Sequence, residues 1–282
     1  MKAFLGTGLL GANFVKAMCS RGEDVQIWNR TASKAKALEP YGAKVFNEAA
    51  QAVKGADVVH LTLKDDSTVD DVLESASEGF SPGLIIIDHT TTSADGAIYR
   101  TKRWKDRGFH YLHAPVFMGP PNALESTGNM LVSGDQELIS RVSSELEKMT
   151  GKLINLGPET GKAAGIKLLG NLFLIALTAG LSDVLALAKG LKINSDDVAA
   201  LFSSWNPGAG VPARFDKIRT GNFSSPSWEL DMARKDAGLM MDVAKEQNII
   251  LAVLPAVINQ MDNWIAKGHG SDDWSVIAKD NL

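Results

Sequence analysis

Up to about Asn155 the chain alternates between short apolar runs and stretches whose apolar positions recur every three or four residues. Ala3-Phe4-Leu5, Asp24–Trp28, Lys44-Val45-Phe46, Val58–Leu63, Leu84–Asp88, Phe109–His113, Asn129–Ser133 and Lys152–Asn155 read as strands. Asn47–Lys54, Ser67–Ser77 and Gln136–Met149 read as helices between them. Several runs lack polar alternation, as expected of strands covered on both faces. The pattern predicts an α/β fold, a doubly wound parallel sheet with helices on both sides. Beyond the turn-forming Gly157-Pro158-Glu159-Thr160-Gly161 no strand of comparable strength occurs, and the pattern becomes helical. Two domains are therefore expected, 1–160 with the sheet and 161–282 all-α, the second opening with a long connecting helix.

That helix has an unusual composition. From Lys162 to Lys189 only Lys167 and Asp183 interrupt it with charge, and Leu168–Ser182 has none. A membrane span needs about 20 predominantly apolar residues. Here the uncharged core is shorter and contains Asn171, Thr178 and Ser182, with no positive asymmetry to orient it. The expected structure is a helix buried between domains or subunits. Further on, Asn194-Ser195-Asp196-Asp197 reads as a helix N-cap followed by an acidic first turn.

Gly6-Thr7-Gly8-Leu9-Leu10-Gly11 stands directly between the first strand and a helical stretch, Ala12–Cys19. In a dinucleotide-binding turn the first glycine permits the tight turn, the second lets backbone approach a pyrophosphate, and the third lets helix and strand pack closely. The helix N-terminus then holds the phosphates. An acid about 20 residues on normally accepts bonds from the adenosine ribose. At that place strand two ends in Asn29-Arg30-Thr31, without a carboxylate. A guanidinium there pairs with a 2′-phosphate, so the expected cofactor is NADP rather than NAD.

Bulk properties narrow the partners. A formal charge of −4 over 282 residues argues against nucleic acid as a partner. A single cysteine, Cys19, rules out an intrachain disulfide and fits a reducing cytosol. With the glycine turn starting at residue 6 there is no room for a cleavable signal peptide, so a cytoplasmic location is expected. His110 and His113 lie on a strand and its end and face opposite sides, with no third ligand, so no metal site is expected. The absence of any Tyr-x-x-x-Lys disfavours a short-chain-dehydrogenase type of site. Lys167 remains as the candidate for chemistry. It lies on the apolar helix with Asn171 one turn along the same face, and a poorly solvated amine suits a general acid or base.

These motifs together resemble the β-hydroxyacid dehydrogenase family, which includes 3-hydroxyisobutyrate dehydrogenases and glyoxylate/succinic semialdehyde reductases and is related to 6-phosphogluconate dehydrogenase. The resemblance runs from the glycine turn and Asn29-Arg30-Thr31 through Asp88-His89-Thr90-Thr91 and Ala114-Pro115-Val116. It continues through the helix Gly161–Asn171 and Lys235-Asp236 to Gly268–Trp274. It implies an N-terminal Rossmann domain, a connecting helix, an all-α C-terminal domain and a homodimer or homotetramer acting on a small molecule. It implies Lys167 as acid/base for interconverting an aldehyde or keto group and an alcohol, with Asn171 orienting the oxygen. Lys235 would close over the nicotinamide side and help depress the Lys167 pKa, Asp236 would stand beside the substrate, and Leu61, Thr62, Leu63 and Thr91 would line the cofactor. At the substrate loop, Val116-Phe117-Met118-Gly119 departs from the family's Val-Ser-Gly-Gly, replacing a carboxylate-holding serine by Phe117 and a glycine by Met118. An imine reductase-like activity and a non-catalytic NADP-sensing module are the alternatives on this scaffold.

Overall fold

The computed structural model describes residues 1–282 as two compact units, Met1–Asn171 and Leu172–Leu282. The first alternates strands and helices: β1 (Lys2–Leu5), α1 (Leu9–Ser20), β2 (Val25–Trp28), α2 (Ala32–Lys36), β3 (Lys44–Val45), α3 (Ala49–Ala52) and β4 (Val58–Leu61). Then come α4 (Asp66–Ala76), β5 (Ile85–Asp88), α5 (Ala94–Asp106) and β6 (His110–His113). These six strands form one sheet in the order β3-β2-β1-β4-β5-β6, every pair parallel. This is the order of a doubly wound Rossmann sheet, whose switch point lies between β1 and β4.

The uninterrupted apolar runs have a direct cause. Phe4, Val58, Ile85 and Ile87 point into one core, with Phe14, Val15 and Met18 of α1. Their chain neighbours Ala3, Leu5, Val59 and Ile86 point into another, with Val69 and Leu73 of α4 and Trp104 of α5. Both faces of the sheet are covered, so both sets of alternating positions are apolar.

Beyond β6 the structure differs from a single continuous sheet. A second sheet forms from β7 (Val116–Phe117), β8 (Asn129–Val132) and β9 (Lys152–Asn155), with α6 (Pro120–Glu125) and α7 (Gln136–Leu146) between them. β7 runs antiparallel to β8, and β9 parallel to it. Two residues are too few to show an alternating pattern, which is why β7 is invisible in the sequence. The third helix is likewise shorter than its apolar period suggests.

α8 (Lys162–Gly190) begins where the second domain is expected, yet the two units divide further along it, after Asn171. Its opening turns belong to the Rossmann unit. Ala163 and Ala164 are buried, and the Ala163 amide donates to Ser133 Oγ at 2.9 Å.

In the second unit α8 continues into α9 (Ser195–Ser204), α10 (Val211–Thr220), α11 (Leu230–Glu246) and α12 (Leu254–Ala266). Asn194 caps α9 as the sequence predicts, its side chain accepting from the Asp196 amide at 3.1 Å. Phe223, Leu230, Ala237, Met261, Trp264 and Val276 make the core of this unit. The Asp183 carboxylate, a charge that interrupts the apolar helix, accepts the Ala252, Val253 and Leu254 amides at 2.6, 2.8 and 3.0 Å, and so caps α12.

The sequence places α8 between domains or subunits, and within one chain much of it is uncovered. Leu172, Phe173 and Ile175 expose 64, 52 and 69% of their surface. The apolar residues circle the helix, and one chain leaves much of that circumference without a partner.

Candidate active site

The three glycines of the first turn have the separate roles their spacing requires. Gly6 has φ +94°, and a Cβ there would collide with the Thr62 carbonyl. Gly11 has no room for a Cβ between the Gly6 carbonyl, Thr62 and Phe4. At Gly8, by contrast, a Cβ would meet nothing within 4 Å, so its backbone faces open space. No side chain caps α1. The Thr62 hydroxyl donates to Gly6 O at 2.9 Å, and the Thr7 amide donates to Asn29 Oδ1 at 2.9 Å, so the ends of β4 and β2 hold the turn in shape. Thr7 Oγ1 is buried without a hydrogen-bond partner, an orphaned polar group beside a turn that suits phosphate.

A cleft of about 400 Å³ opens beside the turn, lined by Gly6, Gly8, Asn29, Arg30, Thr31 and Lys34 on one side and Thr62, Leu63, Lys64, Thr68 and Asp71 on the other. Three cations against one carboxylate give it the charge that a phosphorylated ligand needs. Lys34 is a lining residue that the sequence reading missed. It lies in the first turns of α2, directly after the Asn29-Arg30-Thr31 end of β2.

A second cleft, about 350 Å³, shares Gly8, Thr62, Leu63 and Lys64 with the first and continues past Leu9, Leu10, His89, Thr90 and Thr91 to Val116, Met118 and Lys167. Together they form one groove across the carboxyl ends of β1, β4 and β5, where an open α/β sheet binds its ligand. The Leu63 amide donates to Thr90 Oγ1 at 2.9 Å, fastening the β4 and β5 ends together. His89 and Thr90 were also unforeseen, although they immediately precede Thr91.

Lys167 is 8% exposed, and its Nζ donates to Asn171 Oδ1 at 3.0 Å. Burial pushes the Lys167 amine below its ordinary value. The Phe117 ring lies with its centroid 4.3 Å from that nitrogen.

Within the first unit, not every expected residue lines the groove. Leu61 is fully buried in a core of the sheet, because it lies inside β4 and only the residues after the strand turn out to the cleft. Val116 and Met118 line the second cleft while Phe117 between them does not, as alternation along an extended chain requires. Gly119 caps α6, and its amide is taken by Asn122 Oδ1 at 2.9 Å. Lys235 and Asp236 lie on α11 of the second unit, their side chains paired at 2.8 Å.

Residues 2–157 match the model of the NAD-binding domain of 6-phosphogluconate dehydrogenase. The chain is 27% identical over 280 residues to 3-sulfolactaldehyde reductase of Escherichia coli (strain K12), covering 98% of this chain and 93% of that protein. It is 22% identical over 281 residues to 2-(hydroxymethyl)glutarate dehydrogenase of Eubacterium barkeri, with the same coverage of 98% and 93%. In fold it superimposes on an imine reductase from Myxococcus stipitatus in complex with NADP+, with a TM-score of 0.93, 20% identity and 99% of each chain covered. With its glycine turn, phosphate-suited cleft and Rossmann strand order, the chain belongs to the family defined by the 6-phosphogluconate dehydrogenase NAD-binding domain, as an NAD(P)-dependent oxidoreductase of the β-hydroxyacid dehydrogenase type.

Proposed function

We propose that this protein reduces an aldehyde or keto group to an alcohol, or runs the reverse, using NADP in preference to NAD, with Lys167 as the acid/base. The observation that carries the reading is a buried amine, bound to Asn171, in the wall of a cleft that continues the dinucleotide groove. The glycine turn would hold the pyrophosphate, and Arg30 with Lys34 the adenosine 2′-phosphate; bound there, the nicotinamide supplies or accepts hydride. Lys167 gives a proton from Nζ to the carbonyl oxygen, or takes one from the hydroxyl. Its lowered pKa eases the donation. Asn171 accepts from Lys167 through Oδ1, which leaves its amide N–H groups for the same substrate oxygen. Leu9, Leu10, Leu63, Val116 and Met118 make the apolar part of the cleft's lining.

The relative named for reducing 3-sulfolactaldehyde supports carbonyl reduction. A second reading, reduction of a C=N bond, is favoured by the loop, where Phe117 and Met118 take the places of the serine and glycine found in the resembled family. NADPH consumption measured against aldehydes, keto acids and cyclic imines separates the two. Turnover of carbonyls is the expected result. Turnover of imines alone would shift the conclusion to the second reading, and tight NADPH binding without any turnover would mark a sensing module.

We also infer that the protein works as a homo-oligomer. The exposed apolar circumference of α8 supports this, since contiguous apolar surface on a soluble protein marks an interaction site.

A further inference from the structure

The ammonium of Lys167 has three hydrogens and two partners within its unit. Asn171 Oδ1, one turn along α8, is the first, at 3.0 Å. The second is the face of Phe117, with Nζ 4.3 Å from the ring centroid. Two features bring the ring there. β7 pairs Val116 with Met130 and Phe117 with Asn129, so Val116 faces the cleft and Phe117 turns the other way, toward α8. On α8, position 170 is glycine, and a Cβ at Gly170 would fall within the Phe117 ring. The helix gives up a side chain so that the ring can lie beside the lysine.

The electrostatic surroundings give that ring a purpose. No carboxylate lines the cleft around Lys167. Its other titratable residues are Lys64, after β4, and His89, after β5. Lys64 lies 3.3 Å from the Asp65 carboxylate. Both His89 ring nitrogens are occupied, by the Ala114 carbonyl at 2.8 Å and by His60 at 3.0 Å. Nothing anionic in the cleft opposes the cost of burying an ammonium, and the negative face of an aromatic ring is what remains.

We propose that Phe117 is a positioning residue for Lys167: its ring and Asn171 each engage one N–H of the ammonium, leaving a single N–H aimed into the cleft for one substrate oxygen. The consequence for substrate rests on Lys167 being the acid/base. A single ammonium N–H suits the lone oxygen of an aldehyde or ketone, the oxygen that the Asn171 amide also reaches.

The test reads the ionisation of Lys167 directly, without relying on activity. The full chain is labelled with acetic anhydride across a pH series, and acetylation of the Lys167 peptide is followed by mass spectrometry. Phe117→Leu keeps apolar volume but loses the ring face, and should lower the labelling midpoint by about half to one and a half pH units. Phe117→Tyr keeps the ring and should leave the midpoint within a few tenths of a unit. Gly170→Ala, which displaces the ring while favouring the helix, should move the midpoint down as well, and it serves if Phe117→Leu does not fold. A midpoint that is unchanged or raised when the ring is removed or displaced overturns the proposal. If labelling shifts while the pH profile of kcat/KM does not, Phe117 positions Lys167 but Lys167 is not the acid/base, so the two ideas fail separately.

Discussion

At residue scale, cofactor choice turns on Arg30 and its neighbour Lys34, which share one wall of the first cleft with a single carboxylate, Asp71, opposite. A charge-assisted bond to phosphate contributes about 1.5–3 kcal/mol, on the order of tenfold to a hundredfold in affinity. Arg30→Ala should therefore weaken NADPH by that factor and leave NADH nearly unchanged, measured by fluorescence titration. Equal affinity of the parent for both cofactors would remove the NADP assignment. Gly11→Ala should act through sterics, since its Cβ has no space between strand and helix. A loss of about 1–3 kcal/mol in urea unfolding is expected, as for other overpacked positions. These glycine roles were legible from the spacing together with the apolar strand before it and the helical stretch after it, because each follows from the backbone geometry of a strand-to-helix turn. Leu61 and Phe117 were not. Which way a side chain turns at a strand end depends on register, and register is set by neighbouring strands that the local sequence does not show.

At the scale of elements, β4, β5 and α7 meet in a buried chain of polar groups. His89 Nδ1 donates to the Ala114 carbonyl at 2.8 Å, His60 Nδ1 lies 3.0 Å from His89 Nε2, and His60 Nε2 lies 2.8 Å from Glu145 Oε1. Burial and the neighbouring His60 push His89 down to about 3. Burial would raise Glu145, but hydrogen bonds from His60 and Lys2 outweigh it and hold the acid down to about 2. Both groups bind protons more weakly folded than unfolded, so both add stability at neutral pH and lose it as pH falls. The His89 contribution fades from its ordinary 6.5 toward about 3. That of Glu145 fades from 4.5 toward about 2. Each proton makes the slope roughly 1.4 kcal/mol per pH unit. Urea unfolding should show declining stability below about pH 6.5, and His89→Phe should flatten the portion above about pH 4.5. A parent curve flat from pH 7 to 4 would contradict the network. Nothing in the sequence announced this pair, because His60 and His89 are 29 residues apart and meet only through strand pairing. The strands themselves were readable, since burial on both faces leaves a continuous apolar run.

For the whole molecule, the sequence disclosed the order of the architecture, a doubly wound sheet followed by helices, because hydrophobic period changes where the fold changes. It marked α8 as a helix to be covered between domains or subunits, and one chain alone leaves much of its apolar surface open. Sedimentation should therefore give a dimer or larger assembly, and Leu172→Glu with Ile175→Glu should dissociate it; a monomeric parent would refute the oligomer. The central claim concerns Lys167 and is tested most directly by single-turnover NADPH oxidation with a carbonyl substrate, parent against Lys167→Ala. The account predicts a rate lower by on the order of 10²–10⁴-fold with NADPH affinity preserved. It also predicts that parent reduction is lost, and oxidation of the alcohol gained, as pH rises through a Lys167 pKa below its ordinary 10.5. A variant whose hydride transfer stays within a few-fold of the parent, with the same pH profile, would contradict it.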